Sequence, residues 1–228
     1  MRSGRSTSLP RVPLDDLVHR YRAPAADPAG VLVLFHGRGV DESDLFPLVD
    51  LLDPERRLAA FTPRAPLTPP GHTGNHWYVV RRIGSPEPET FGTTYEALGS
   101  WLEDVSAATG VPAERTVLGG FSQGGVMSYA LGLGTGRPRP AAILALSALV
   151  PKVEGWELDL SDRAGLPVYH AHGTADPIIS VEFAREAKAL LDGRVDLTYR
   201  EHPGGHTIDP RAFDEMRELV QGSLPAPD

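Results

Sequence analysis

One serine stands in a sequence context that supports nucleophilic chemistry. Gly120-Phe121-Ser122-Gln123-Gly124 is a G-x-S-x-G pentapeptide between an apolar run at 117–119 and a helix-like segment at 126–131. A strand that turns directly into a helix exposes the serine Oγ, and glycines leave room for the two elements to pass. A Gly-rich turn with a surface serine is the alternative interpretation. The order of elements favours Ser122 as the nucleophile.

A serine hydroxyl is a weak nucleophile, so it needs a general base and an acid that orients the base. In a doubly wound parallel sheet, such residues lie in loops at the carboxyl ends of strands. Asp176 follows an apolar strand at 166–172, and His206 follows a strand at 195–200. The chain order Ser, Asp, His agrees with a hydrolase triad. The sequence therefore predicts Ser122, Asp176 and His206 as catalytic residues.

Each partner of the serine has an alternative role. Asp176 precedes a proline and could cap the following helix through an Asx-turn. His206 could be a turn histidine, and His202 is its nearest rival for the role of base. His202 lies closer to the strand and precedes a proline, whereas two glycines let the loop of His206 approach the serine. We therefore favour His206.

The sequence predicts chemistry without a metal or a cofactor. His170 and His172 alternate onto one face of a strand and could be read as a metal pair. No carboxylate or third histidine stands nearby at ligand spacing, so buried, hydrogen-bonded rings are the favoured interpretation. The chain has no cysteine, which excludes disulfides and thiolate ligands.

Ester hydrolysis also needs two donors aimed at the oxyanion of the tetrahedral intermediate. The backbone amide of Gln123 is the first candidate because it follows the nucleophile. The second is the amide of Arg38, in the Gly-flanked turn at 36–39, which is otherwise read as an ordinary strand-to-helix turn. The Arg38 side chain would then be free to meet polar or anionic parts of a substrate.

Composition favours a single folded domain, which we expect to be cytoplasmic. The chain has 228 residues, 41% hydrophobic and 23% charged, and we expect a loose tail at 1–10 followed by a single domain at 11–228. The net charge of −8 argues against nucleic acid or an anionic membrane as a partner. No secretory signal or membrane-spanning stretch is evident, so we expect no stable membrane association. The sequence leaves the oligomeric state open, a homodimer included.

Apolar strands alternate with amphipathic helices along the chain. This alternation predicts an α/β fold with a mainly parallel sheet and helices on both faces. Capping signals place helix starts at Ser43, at the Thr93-x-x-Glu96 box and at Asp209-Pro210. Expected strands lie at 17–22, 31–35, 57–61, 117–119, 141–147, 166–172 and 195–200.

Two connections are expected to form the substrate pocket. Residues 62–92 are rich in proline and glycine and are too long for a plain link, whereas residues 148–166 are too few for a cap domain. The apolar candidates for substrate binding are Trp77, Tyr78, Leu149 and Trp156, each of which could instead belong to the core. An uncapped groove favours soluble, small-molecule esters of short to medium acyl chains, without activation at lipid interfaces.

From about Val31 to Val220 the chain resembles the phospholipase/carboxylesterase family of α/β-hydrolases, which includes acyl-protein thioesterases and bacterial carboxylesterases. Four segments carry the resemblance, and the Phe-Ser-Gln-Gly-Gly run is its most specific part. The segments are 34–39 (Leu-Phe-His-Gly-Arg-Gly), 119–125 (Gly-Gly-Phe-Ser-Gln-Gly-Gly), 172–177 (His-Gly-Thr-Ala-Asp-Pro) and 204–206 (Gly-Gly-His). The resemblance implies a serine carboxylesterase, with lysophospholipase or thioesterase activity as alternatives and a non-catalytic binding protein as a further one.

By analogy the family assigns the same triad and the same two oxyanion amides. The chain departs from the pattern of the thioesterase members at two places, both in loops expected to touch the substrate. Val40 stands before Asp41-Glu42, where thioesterase members tend to have an acid, and Trp77-Tyr78-Val79-Val80 replaces their Trp-Phe-Asp segment. These departures argue against thioesterase activity specifically and leave the reaction class unchanged.

Overall fold

The computed structural model describes residues 17–224, so the loose tail expected at 1–10 lies outside the described residues. Strands and helices alternate through this range. The strands are β1 (His19–Arg22), β2 (Gly30–Phe35), β3 (Leu58–Pro63), β4 (Val80–Arg82), β5 (Ser85–Pro86), β6 (Thr116–Phe121), β7 (Ala142–Leu146), β8 (Pro167–Gly173) and β9 (Asp196–His202). The helices are α1 (Phe46–Leu52), α2 (Pro88–Thr109), α3 (Gln123–Leu133), α4 (Val181–Leu191) and α5 (Phe213–Ser223).

Seven strands form one sheet in the order β1-β3-β2-β6-β7-β8-β9. Only β1 is antiparallel to its neighbour, and the other pairs in this sheet are parallel. Parallel neighbours require crossovers, which the helices supply. The predicted mainly parallel α/β sheet is therefore confirmed, and no cap domain interrupts residues 148–166.

The central strands are buried on both faces, as their continuous apolar runs predict. Along β2, Val31, Val33 and Phe35 face one core, and Leu32 and Leu34 face the other. Helices α2, α3 and α4 cover the first core, and α1 and α5 cover the second. Residues that end these strands therefore emerge at one edge, between the two helical layers.

Two helices begin at residues other than those predicted. Helix α1 begins at Phe46, and Ser43 does not cap it. Helix α2 begins at Pro88, so the capping box expected at Thr93 is wrong and Thr93 lies inside the helix. The Glu87 carboxylate accepts the Thr90 amide at 3.0 Å, and a proline in the first turn favours a helix start there.

A buried ion pair attaches the edge strand β1 to the rest of the sheet. The Arg22 guanidinium binds the Asp53 carboxylate, and both side chains are at most 5% exposed. Asp53 also accepts the amides of Arg57 at 3.0 Å and Leu58 at 2.9 Å. The carboxylate therefore fixes both the edge strand and the start of β3.

We predict that Asp53→Ala lowers the free energy of unfolding by about 3–5 kcal/mol, because it leaves the Arg22 charge buried without its carboxylate. Asp50 is the matched control, since it also binds Arg22 but its side chain is 74% exposed. Asp50→Ala should lower stability by no more than about 1 kcal/mol. Urea unfolding of both variants measures the difference, and equal losses would contradict the assignment.

Candidate active site

Ser122 lies in a tight turn between β6 and α3, which we call the serine turn (residues 120–124). Its backbone has φ +55° and ψ −119°, a conformation that residues with a Cβ rarely adopt. The Ser122 amide donates to the Leu146 carbonyl at 2.8 Å. A Cβ on Gly124 would lie 1.9 Å from the Phe35 carbonyl oxygen, so the turn packs directly on the end of β2.

Three side chains form a hydrogen-bonded series at the carboxyl edge of the sheet. His206 Nε2 lies 2.9 Å from Ser122 Oγ, and His206 Nδ1 lies 2.6 Å from Asp176 Oδ2. An ionised carboxylate only accepts, so Nδ1–H donates to Asp176 and Nε2 is left to accept from the serine hydroxyl. The structure thus brings together the three residues that the sequence singled out, in the order that proton transfer requires.

Asp176 has more hydrogen bonds than the one to His206. Its Oδ1 accepts the amides of Ile178 at 2.8 Å and Ile179 at 2.9 Å. Burial by itself raises the pKa of the Asp176 carboxyl, but the hydrogen bonds from His206 and the two amides outweigh it and lower the pKa below its usual value. Ser180 caps the following helix, so Asp176 is not its cap. The carboxylate stays ionised at neutral pH.

The loops that carry Asp176 and His206 are joined to each other by backbone hydrogen bonds. The Thr174 amide donates to the His202 carbonyl at 2.7 Å, and the Ala175 amide donates to the Gly204 carbonyl at 3.1 Å. A Cβ on Gly173 would lie 2.2 Å from the Gly205 carbonyl oxygen, so this close approach requires glycine. The junction fixes the distance between acid and histidine.

His202, the alternative candidate for the general base, bonds within its own loop and not with Ser122. Its Nδ1 accepts the Gly204 amide at 3.1 Å, which makes it part of the turn before His206. The ring of His206 packs instead against Phe121, with centroids 4.8 Å apart, beside the serine turn. His206 is therefore the histidine that reaches Ser122.

The two amides predicted as oxyanion donors lie beside Ser122. Within residues 17–224, neither the Arg38 nor the Gln123 amide donates a hydrogen bond to the protein. Arg38, Ser122 and Gln123 border the same cleft. A Cβ built on Gly37 would lie 3.7 Å from Ser122 Cβ, so the turn at 36–39 is in contact with the serine turn. Both amides are available to a ligand at Ser122.

The cleft beside Ser122 is mainly apolar and encloses about 450 Å³, including its open mouth. The β4–β5 hairpin forms one wall, and the residues after Asp176 form another. Arg38 is the one charged residue among the lining residues, and its exposed side chain makes no hydrogen bond or ion pair within residues 17–224. The other lining residues are Tyr78, Val80, Ile83, Gly84, Ser85, Pro86, Gln123, Val126, Leu149, Ile178 and Ile179.

Of the four predicted pocket residues, Tyr78 and Leu149 line the cleft and the two tryptophans do not. Trp77 is fully buried, and its indole N–H donates to the His36 carbonyl at 2.8 Å. The Trp156 indole donates at 3.2 Å to the Ala130 carbonyl, two helical turns beyond the serine turn. Trp77 is thus a core residue, and Trp156 lies at the other end of α3.

Sequence analysis missed several residues that line the cleft. Ile83 and Ile178 are 38% and 47% exposed and stand on opposite walls. The position of Ile178 immediately after Asp176-Pro177 was a readable signal, because residues that follow the acid stay near the site. Ile83 had no such signal beyond its place in the long 62–92 connection.

The strand histidines are buried and hydrogen-bonded. His170 Nδ1 lies 2.7 Å from the Tyr129 hydroxyl, and His172 Nε2 donates to the Ile179 carbonyl at 2.8 Å. Burial lowers the pKa of His170 to about 3, so the ring is neutral. Residues 17–224 contain no group of three or more His, Asp or Glu side chains arranged to hold a metal ion. In the same range no helix is long and apolar enough to span a bilayer.

Comparison with known proteins finds a matching family model, related sequences and solved structures of similar fold. The family model for Phospholipase/Carboxylesterase matches residues 19–224. Acyl-protein thioesterase 1 of Eremothecium gossypii is 31% identical over 222 residues, which cover 90% of this chain and 92% of the relative. Acyl-protein thioesterase 1 of Cryptococcus neoformans is 26% identical and covers 91% and 98%.

A solved structure of similar fold is the Bacillus cereus carboxylesterase. It superposes with a TM-score of 0.79 at 22% identity, over 91% of this chain and 94% of the other. At this identity the likeness shows the fold alone.

The close packing at the serine turn generates a prediction about glycine. Gly124→Ala should lower stability by about 3 kcal/mol or more and ester turnover by about 100-fold, because the methyl group meets the Phe35 carbonyl and shifts Ser122. Gly92→Ala is the control, since its added Cβ meets nothing within 4 Å in α2. It should raise stability by about 0.5–1 kcal/mol. Thermal unfolding and ester assays of both variants test this, and a harmless Gly124→Ala would contradict it.

Proposed function

We propose a specific reaction for this chain, which belongs to the phospholipase/carboxylesterase family and is a serine hydrolase. It hydrolyses carboxylic esters of short to medium acyl chains through a covalent acyl-enzyme on Ser122. The observation that carries the proposal is the series Ser122, His206, Asp176, with hydrogen bonds of 2.9 and 2.6 Å beside an apolar cleft.

In the first half-reaction, Ser122 Oγ attacks the ester carbonyl carbon while His206 Nε2 accepts the hydroxyl proton. The carbonyl oxygen becomes an oxyanion that accepts the amides of Arg38 and Gln123. When the intermediate collapses, the bond to the alcohol oxygen breaks and His206 returns the proton to that oxygen. The acyl group remains on Ser122.

In the second half-reaction, a water molecule attacks the acyl carbon and His206 accepts its proton. Collapse breaks the bond to Oγ, the proton returns to Ser122, and the carboxylic acid leaves. Asp176 orients the imidazole and stabilises its protonated form in both halves. The lowered pKa of Asp176 supports this role, because the carboxylate must remain ionised beside the charged ring.

The walls of the cleft support a limit on acyl length. Tyr78, Val126 and Leu149 offer an apolar surface next to Ser122, and the β4–β5 hairpin forms one wall of the cleft. A buried methylene adds about 0.8 kcal/mol only while the groove continues. Arg38, at the rim, is free to meet polar or anionic parts of a substrate.

A second candidate activity is thioester hydrolysis, which the names of the curated relatives favour. The same residues would serve, with a thiol as the leaving group. Comparison of kcat/KM for an ester and a thioester with the same acyl group decides between them. A non-catalytic binding protein is the weaker alternative, since such a protein has no need of three hydrogen-bonded triad residues.

The proposed enzyme works in the cytoplasm on small-molecule esters and forms no stable association with membranes. The net charge of −8 supports the lack of membrane association, because anionic lipid surfaces repel an acidic protein.

The triad generates a direct test with p-nitrophenyl butyrate. Ser122→Ala should lower kcat by a factor on the order of 10⁶, and Asp176→Asn by about 10⁴, because the imidazole then adopts the wrong tautomer. A fluorophosphonate should label the wild type and not Ser122→Ala. Ser128→Ala is the control, since Ser128 is a buried serine on the same helix that donates to the Gly124 carbonyl. Labelling that persists in Ser122→Ala would refute the assignment.

The hairpin generates a prediction about acyl length. For the wild type, kcat/KM should rise about fourfold per methylene up to medium chains and then level off, with no rate jump at the micellar threshold. A second, mainly apolar groove of about 830 Å³, including its open side, lies next to the cleft, and Gly84 and Leu149 border both. The Phe183 ring packs on Gly84 between them. Phe183→Ala should join the two spaces and favour longer chains.

Phe213→Ala is the matched control, because Phe213 packs in the core on the opposite face of the sheet. Its chain-length profile should match that of the wild type. A wild-type preference for long chains, together with a jump in rate at the micellar threshold, would rule out the short- to medium-chain proposal.

A further inference from the structure

Trp77 connects the two segments that carry the proposed oxyanion donors. Arg38 follows β2 and Gln123 follows β6, so the two amides belong to separate parts of the chain. The Trp77 backbone amide donates to Gln123 Oε1 at 2.8 Å, and its indole N–H donates to the His36 carbonyl at 2.8 Å. Trp77 is fully buried, so these bonds are shielded from water.

The Gln123 carboxamide completes this connection. Its Nε2 donates to the Tyr78 carbonyl at 2.7 Å while its Oε1 accepts the Trp77 amide. Both polar atoms of the carboxamide are thus held by one short segment, and the Gln123 backbone amide makes no hydrogen bond within residues 17–224. The segment 77–78 therefore braces the serine turn.

The His36 side chain holds the turn at 36–39, which carries the Arg38 amide. Its Nε2 accepts the Ala65 amide at 2.9 Å, so Nδ1 carries the proton and donates to the Gly37 carbonyl at 2.6 Å. Burial lowers the pKa of His36, against the opposing effect of the bond to Gly37, and the neutral ring is maintained. The tautomer is therefore fixed by its two partners.

This bond determines where the Arg38 amide points. The Gly37–Arg38 peptide is trans, so its carbonyl and its N–H point in opposite directions. Because the His36 ring holds the Gly37 carbonyl, the Arg38 N–H is turned away from the ring. Arg38 borders the same cleft as Ser122, and its amide makes no hydrogen bond within residues 17–224, as an N–H directed towards the cleft requires.

We infer that His36 and Trp77 are positioning residues that hold the two oxyanion donors at a fixed separation. The inference rests on the proposed function, since it concerns the same intermediate on Ser122. Neither side chain touches the substrate: Trp77 is fully buried, and neither ring borders the cleft. They act on the stability of the transition state, by holding the Arg38 and Gln123 amides in place.

Four variants separate this role from ordinary packing. Trp77→Phe keeps the aromatic ring and the backbone amide but removes the indole donor. Trp101→Phe is its matched control, because Trp101 is equally buried and its indole nitrogen has no partner among residues 17–224. His36→Asn retains a donor near the position of Nδ1, whereas His36→Gln retains an acceptor near the position of Nε2.

The measurements are kcat and KM for p-nitrophenyl butyrate and the Ki of an alkyl trifluoromethyl ketone, whose adduct with a serine mimics the tetrahedral intermediate. We expect Trp77→Phe and His36→Gln to lower kcat by about 10- to 100-fold with KM unchanged, since an interaction realised in the transition state alone acts on kcat. The ketone Ki should rise by the same factor. His36→Asn should stay within a few fold of the wild type, and Trp101→Phe should keep both values.

Several outcomes would overturn the inference. Equal kcat values for Trp77→Phe and Trp101→Phe would show that the indole bond has no role, and a rise in KM alone would place Trp77 in substrate binding. Equal effects of His36→Asn and His36→Gln would remove the orienting role of Nδ1. If Trp77→Phe fails to fold, the His36 pair decides the question. Failure of the proposed function is distinguishable, because the wild type itself would then resist fluorophosphonate labelling.

Discussion

The architecture of this site depends on the close approach of the serine turn to the end of β2. A Cβ on Gly124 would lie 1.9 Å from the Phe35 carbonyl oxygen, so nothing larger than glycine fits between the two segments. This contact brings the turn at 36–39 beside Ser122, so that Arg38 and Gln123, from separate parts of the chain, border the same cleft as the serine. The strained backbone of Ser122 is maintained by the same packing, since the turn has no space in which to relax.

The acid and the histidine reach the serine because the parallel strands of one sheet end at the same edge. Strands β6, β8 and β9 supply Ser122, Asp176 and His206 from the loops that follow them. Gly173 allows the last two loops to be joined backbone to backbone, which removes the freedom that long loops otherwise have. The hydrogen bonds to Asp176 then outweigh its burial, so a carboxylate at the base of a largely apolar site remains charged.

The sequence was sufficient for features set by local pattern. Continuous apolar runs predicted the central strands, and the residues just after those runs identified Ser122, Asp176 and His206. Trp77 and Trp156 were misplaced because pattern does not say which side of a loop faces the core. The start of α2 was misread because Glu87 and Pro88 cap it from within a stretch that otherwise looks irregular. Ile83 gave no signal, since its position in the cleft depends on how a short hairpin folds over α4.

Trp77, which was expected to line the substrate pocket, shows how the 62–92 connection contributes to the site. Trp77 and Tyr78 both belong to the core on one face of the sheet, but Tyr78 also borders the cleft and Trp77 does not. The Gln123 carboxamide holds both of them through the Trp77 amide and the Tyr78 carbonyl. The wall of the cleft and the bonds that hold the proposed oxyanion donors are therefore parts of one backbone segment, residues 77–78. If the two amides are the oxyanion donors, a change in this segment that reshapes the cleft should also move them, so we expect substrate range and turnover to change together.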